Sequence, residues 1–263
     1  MTEPEAQEIV PLLAKKLHRA LTAGHEEIFT LLTEPSAQIL RTLLKNPNLN
    51  EDHLMALLKR RDLPEDLLKA IAKYEQSNQS RQLKKELVKN PNTPGPVTLS
   101  LLPHLYLFEL LELCFMPGVT PDQKIAAERM IIQRLPDVEL GSKMTLSRRA
   151  TADVVGAILR EGDSRLTTAC LDNPRLKEVA ILQFLNSSRA RAATISIIAR
   201  HEKWKNRPNL RMAILKNRNT PDIWYTLFLP KLKTADMNNL LMSRRLKPQQ
   251  KKLVQQELKK RGL

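Results

Sequence analysis

Apolar residues along the chain recur three and four positions apart in short runs. Leu54, Leu57 and Leu58 fall on one helical face, as do Leu67, Leu68 and Ile71, and Ile181, Phe184 and Leu185. No segment alternates apolar and polar with period two for long enough to propose a strand. Polar elements rich in Asn and Pro cut the runs: NPNLNEDHL at 46–54, KNPNTP at 89–94, NPRLKEVAI at 173–181 and NRNTPD at 217–222. In KNPNTP, Asn90 is expected to close a helix in the left-handed conformation and Pro91 to stop it. Thr93 is expected to cap the next helix, with Pro94 at its first position. Asn50 is the expected cap of 46–54. The carboxylate pairs Glu26-Glu27, Glu51-Asp52 and Glu65-Asp66, and Asp222, sit where first turns begin and offset the helix dipole. The pattern predicts an all-α chain with about six helices in each half.

The chain repeats itself. LVKNPNTP at 87–94 returns as ILKNRNTP at 214–221, an offset of 127 residues. The same offset relates Asn46-Pro47 to Asn173-Pro174, Pro103 to Pro230 and Pro121 to Pro248. Between 70–94 and 197–221 an ungapped comparison finds nine identities in 25 positions, too many in one register for chance alone. Two copies of one unit are therefore expected, at 1–136 and 137–263. Within each copy the Asn-Pro anchors lie 44 residues apart, Asn46 to Asn90 and Asn173 to Asn217. Such a period belongs to two- or three-helix repeats that stack on one another.

Charge then separates the copies. Residues 1–136 carry 17 basic and 17 acidic side chains, and 137–263 carry 26 and 11, so the whole excess of +15 lies in the second copy. An anionic partner for that half follows: nucleic acid, an acidic protein or an anionic membrane face. The apolar stretch from Val97 to Val119 contains Pro103, His104, Glu109 and Glu112, which are costly in hydrocarbon, so no membrane span is expected. Cys114 and Cys170 lack metal or redox spacing and read as buried free thiols. With an acidic amino-terminal segment that lacks a signal-peptide pattern, the chain is expected to be cytoplasmic.

Asn-Pro-x-Thr-Pro and Asn-Pro-x-Leu-x-Glu between short Leu-rich helices resemble the bacterial HEAT-like and leucine-rich-repeat-variant α-solenoids. The resemblance covers most of the chain and implies a right-handed α–α superhelix that scaffolds or binds protein or nucleic acid. It implies no iron–sulfur site, since the Cys cluster of some leucine-rich-repeat-variant proteins is missing here.

No phosphate-binding Gly loop, nucleophile elbow or HExxH spacing occurs. His18 and His25 are seven apart and offer only a weak metal pair. Some HEAT-like solenoids excise alkylated DNA bases with aromatic residues and an Asp. Trp204, Trp224 and Asp222 are the candidates here, but Trp224 reads as core and Asp222 as a first-turn acid. No enzyme activity, metal or cofactor is expected.

Matched positions show where charge was added. Gln76, Ser77, Asn78 and Ser80 correspond to Lys203, Trp204, Lys205 and Arg207, and Pro117, Gly118 and Thr120 to Arg244, Arg245 and Lys247. His104 and Tyr106 correspond to Lys231 and Lys233, and Asp62 and Pro64 to Arg189 and Arg191. The turns at 200–207 and 243–247 lie about one 44-residue period apart, so they are expected to stack into one basic ridge with Trp204 exposed in it. Lys203, Trp204, Lys205, Arg207, Arg244, Arg245 and Lys247 are the expected nucleic-acid contacts. A scaffold meeting an acidic protein is the alternative.

Overall fold

A computed structural model describes residues 3–74 and 79–262, with residues 3–11 described by their backbone alone. Among them are eighteen α-helices and no strand. The chain divides into two compact units, Met1–Ile131 and Ile132–Leu263. The first unit runs through α1 (Glu3–Thr22), α2 (His25–Leu31), α3 (Ala37–Leu43), α4 (Glu51–Leu58), α5 (Glu65–Lys73), α6 (Arg81–Lys89), α7 (Gly95–Leu101), α8 (Leu107–Leu113) and α9 (Pro121–Arg134). The second runs through α10 (Leu140–Arg149), α11 (Ala152–Glu161), α12 (Ser164–Asp172), α13 (Glu178–Leu185), α14 (Ala192–Arg200), α15 (Pro208–Lys216), α16 (Asp222–Phe228), α17 (Thr234–Leu241) and α18 (Pro248–Lys260).

Eight helix starts repeat at an offset of 127: His25/Ala152, Ala37/Ser164, Glu51/Glu178, Glu65/Ala192, Arg81/Pro208, Gly95/Asp222, Leu107/Thr234 and Pro121/Pro248. The 3-10 turns Leu102–His104 and Leu229–Lys231 match as well. Among the described residues each copy has nine helices, where the pattern suggested six. Most are only seven to ten residues long, too short for apolar periodicity to separate neighbours. The stretch 97–119 is broken into α7, a 3-10 turn and α8. Among the described residues no helix is long and apolar enough to cross a membrane. Both thiols are buried and free, and burial pushes Cys114 up to about 12 and Cys170 up to about 11.

Many of the helices pack on the one two places along the chain. In the first unit α1 packs on α3 and α3 on α5, while α2 packs on α4, α4 on α6 and α6 on α8. In the second, α10, α12 and α14 pack in succession, as do α11, α13, α15 and α17, with α16 on α18. Successive turns therefore fall alternately on two edges of a unit. In the second unit, the turns after α12 and α14 share one edge. Those after α13, α15 and α17 share the other.

The buried Asn residues hold these edges. Asn46 Nδ2 donates to Ala20 O (2.8 Å) and Ala23 O (3.1 Å), and Asn173 Nδ2 to Ser147 O (2.9 Å) and Ala150 O (3.3 Å). Asn90 donates to Leu58 O and Arg60 O, and Asn217 to Leu185 O. In all four the side-chain oxygen accepts from the N–H two residues on. The Asn is thus a strut to the preceding turn on its own edge. It is not the left-handed cap expected: Asn90 (φ −75°, ψ 123°) is extended, and every positive φ among the described residues belongs to Gly. Thr93 does not cap α7 either. Its hydroxyl donates back to Leu87 O, Thr220 does the same to Ile214 O, and Pro94 and Pro221 take the cap positions. Asn50 caps α4 as expected, accepting from His53 N.

His53 is fully buried. Its Nδ1 accepts from Asn50 N (3.1 Å) and its Nε2–H donates to His25 O (3.0 Å), with its ring 4.5 Å from those of His25 and Phe29. That network requires a neutral imidazole, and burial, joined by the repulsion of His25, lowers its pKa below the ordinary 6.5, though Asp52 and Glu26 pull the other way. The unfolded chain binds the proton first as pH falls, so stability is full above about 6.5 and is lost through the lower folded value. Unfolding free energy should drop by up to about 1.4 kcal/mol per pH unit in that window. Denaturant titrations at stepped pH test this, with a flatter profile expected for His53→Gln. In the second unit the places of Phe29 and His53 belong to Gly156 and Ala180, which bring two helices close enough that a Cβ on Gly156 would lie 3.2 Å from that of Ala180.

Candidate functional site

The second edge of the second unit carries a cleft of about 790 Å³. Three consecutive turns line it: 185–188, 216–219 and 244–247. Asn217, buried between them, ties the second turn to the first through Leu185 O. Gln250, also buried at the start of α18, ties the third to the second. Its Nε2 donates to Arg218 O and Thr220 O (3.1 Å), and its Oε1 accepts from Lys247 N (3.0 Å). Two buried amides thus fix the backbone from which Lys216, Arg218, Arg244, Arg245 and Lys247 project. No acidic side chain lines the cleft. The one neutral partner is Asn186, whose Oδ1 accepts from Arg245 Nη1 (3.1 Å).

The first unit shows what changed. Lys89, matched to Lys216, pairs with Glu112 (3.2 Å) and Glu86 (3.8 Å). Asn239 and Ala213 stand at those positions in the second unit. Arg60 pairs with Asp62, and their counterparts are Ser187 and Arg189. Pro91 and Gly118, whose Cβ atoms would lie 3.4 Å apart, give way to Arg218 and Arg245. On this edge the second unit lacks acids that the first unit has and carries more cations, and among the described residues no ion pair neutralises Lys216, Arg218, Arg244, Arg245 or Lys247. An incoming anion relieves the repulsion among these like charges.

The expected single ridge does not form. Arg244, Arg245 and Lys247 lie in the cleft, but Lys203, Lys205 and Arg207 lie in the turn before α15, whereas Lys216 and Arg218 lie at its far end. Nine helical residues, about 13 Å, separate the two. The 44-residue period spans three helices, an odd number, so it ends on the opposite edge. Lys205 is moreover paired with Glu202 (2.6 Å). Trp204 is not exposed: it is 4% accessible, and its Nε1 donates to Leu171 O (3.0 Å). An indole in a turn this close to the preceding α12 completes the core, and Lys203 Nζ lies 4.7 Å from its centroid. Gln76, Ser77 and Asn78 lie outside the described residues. Lys216 and Arg218 were missed, Lys216 because its counterpart is also Lys and only the lost acids reveal it.

No protein-family model matches the chain, and no curated protein or solved structure does.

The base-excision candidates do not assemble into a reactive site. Trp224 is buried and donates to Ser196 Oγ (3.0 Å), and Asp222 accepts from Gln249 (2.7 Å) in the first turn of α16. Among the described residues no group of three His, Cys, Asp or Glu side chains is placed to hold a metal ion.

Proposed function

We propose that the chain is a HEAT-like α-solenoid that works as a binding protein, not a catalyst, and holds a nucleic-acid duplex along the second edge of its second unit. The observation that carries this reading is the cleft lined by three turns of one edge, two of which carry five cations, and by no acid. The pairing of many helices with the one two places on supports the stacked-repeat architecture. A duplex suits the site better than a single strand because no aromatic ring lines the cleft for bases to stack on. Arg and Lys then meet phosphates, giving affinity without base readout.

Five phosphate contacts predict that log K falls against log salt with a slope of about −4 to −5. Changing Arg244 and Arg245 to Ala should flatten the slope by about two, at every duplex sequence, and leave stability within about 0.5 kcal/mol. The triple change Lys203→Ala, Lys205→Ala and Arg207→Ala, on the other edge, should leave the slope as it was. A gel shift titrated with salt reads both. A slope lowered by the triple change and untouched by the double one would overturn the assignment, and tighter capture of polyglutamate than of any duplex would point to an acidic protein.

A further inference from the structure

In the second unit, α14, α15 and α16 close around two aromatic rings. Trp224 donates its indole N–H to Ser196 Oγ, the Arg200 guanidinium lies 5.7 Å from its centroid, and the Phe228 ring lies 5.4 Å away with Arg211 above it at 5.8 Å. The matched residues in the first unit are Val97 for Trp224, Leu101 for Phe228, Lys69 for Ser196, Lys73 for Arg200 and Lys84 for Arg211. The aromatic pair is replaced by two small aliphatic side chains while the flanking cations remain. At that place the first unit has an open hollow of about 400 Å³, within the range of about 300–1,000 Å³ usual for ligand pockets. Ala72, Val97 and Leu101 form its apolar part, and Lys69, Lys73 and Lys84 its rim, with Ser100 and His104 beside them. Among the described residues Lys73 and Lys84 have no acidic partner, and Lys69 has only an exposed contact with Glu65 at 3.8 Å.

The geometry points to this hollow as a receptor for an aromatic side chain carried by an acidic segment of a partner protein. The second unit supplies the template, since its own Trp224 and Phe228 occupy the corresponding space, Trp224 beside Arg200 and Phe228 beside Arg211. A ring entering from outside would cover Val97 and Leu101 and offer its face to Lys73 or Lys84. Carboxylates on either side of it would meet the lysine rim. A nucleobase is the competing occupant, since Ser100 and His104 in the same lining would hydrogen-bond its polar edges, and the test below sets it against the peptide. This inference stands apart from the duplex-binding cleft, which uses other residues in the other unit.

The test uses the full chain with Arg244→Ala and Arg245→Ala, so that the second-unit cleft contributes less. The probe is a fluorescein-labelled peptide, Asp-Glu-Trp-Glu-Asp, followed by anisotropy. Saturable binding is expected, weakened about tenfold or more when the peptide's Trp is replaced by Ala, since a buried aromatic anchor carries much of such an interface. Val97→Trp should fill the hollow from within, as Trp224 does in the other unit, and abolish binding. Lys73→Glu with Lys84→Glu alters exposed or half-buried rim positions and should weaken binding by a similar factor, with circular dichroism unchanged. Equal binding of the Trp and Ala peptides, binding that survives Val97→Trp in a folded chain, or preferential displacement by adenosine monophosphate would each overturn the proposal.

Discussion

Asn173→Asp should unfold the second unit far more readily than Asn173→Ala, although Asp is the closer match in shape. The amide nitrogen of Asn173 donates to Ser147 O and Ala150 O from a site 1% accessible, while its oxygen accepts from Arg175 N. Alanine removes the donor and leaves two buried carbonyls without it, a loss of about 2–3 kcal/mol. Aspartate does worse, because it aims an anionic oxygen at those same two carbonyls. A loss of roughly 3–5 kcal/mol is expected, partly recovered at acidic pH when the carboxyl regains a proton to donate. The two tryptophans of the chain, Trp204 and Trp224, both lie in the second unit, so their fluorescence during urea unfolding reports that unit alone. Equal midpoints for the two variants would show that the amide donor is not what holds the turn.

A second large effect is expected at Gly162. It ends α11 with φ +78°, in the left-handed region, and a Cβ there would lie 2.9 Å from Arg189 O. Alanine meets two penalties at once: about 1 kcal/mol or more for the backbone conformation, and a contact with a backbone oxygen that no rotamer relieves. A combined loss of about 2–3 kcal/mol in the same tryptophan-detected transition is the expected outcome. Gly141, with nothing within 4 Å of its would-be Cβ and no positive φ, is the control. Gly141→Ala should be neutral or slightly stabilising. If Gly162→Ala behaved likewise, the strain argument would fail.

The repeat was legible because the Asn, Thr and Pro residues that build a turn recur together at one offset. What those residues do was not. Asn90 and Asn217 sit where a helix-closing residue belongs, and local sequence alone cannot tell a cap from a strut, since the strut's acceptors lie some thirty residues upstream. Thr93 misled for a related reason. Pro94 starts the helix one place later than its hydroxyl requires, and the hydroxyl turns back to Leu87. The cationic edge was half legible. Arg244, Arg245 and Lys247 stood out as additions to a constant scaffold, but which turns stack depends on whether an odd or even number of helices separates them. Nine short helices read as six gave the wrong parity. Trp204 was misread because its lysine neighbours are exposed or half-exposed while its own ring folds inward.

A residue inserted into any helix from α2 to α17 would turn everything beyond it by about 100° and draw the next Asn away from its carbonyls. Deletion would do the same in the opposite sense. Chain length is therefore the one property neither half can change cheaply, and from α2 to the start of α9 the two keep it to the residue. Divergence had only side chains to work with. On an unaltered frame, exchange at single positions turned a neutral surface into one of high positive charge, and left a space in one half where the other keeps a tryptophan.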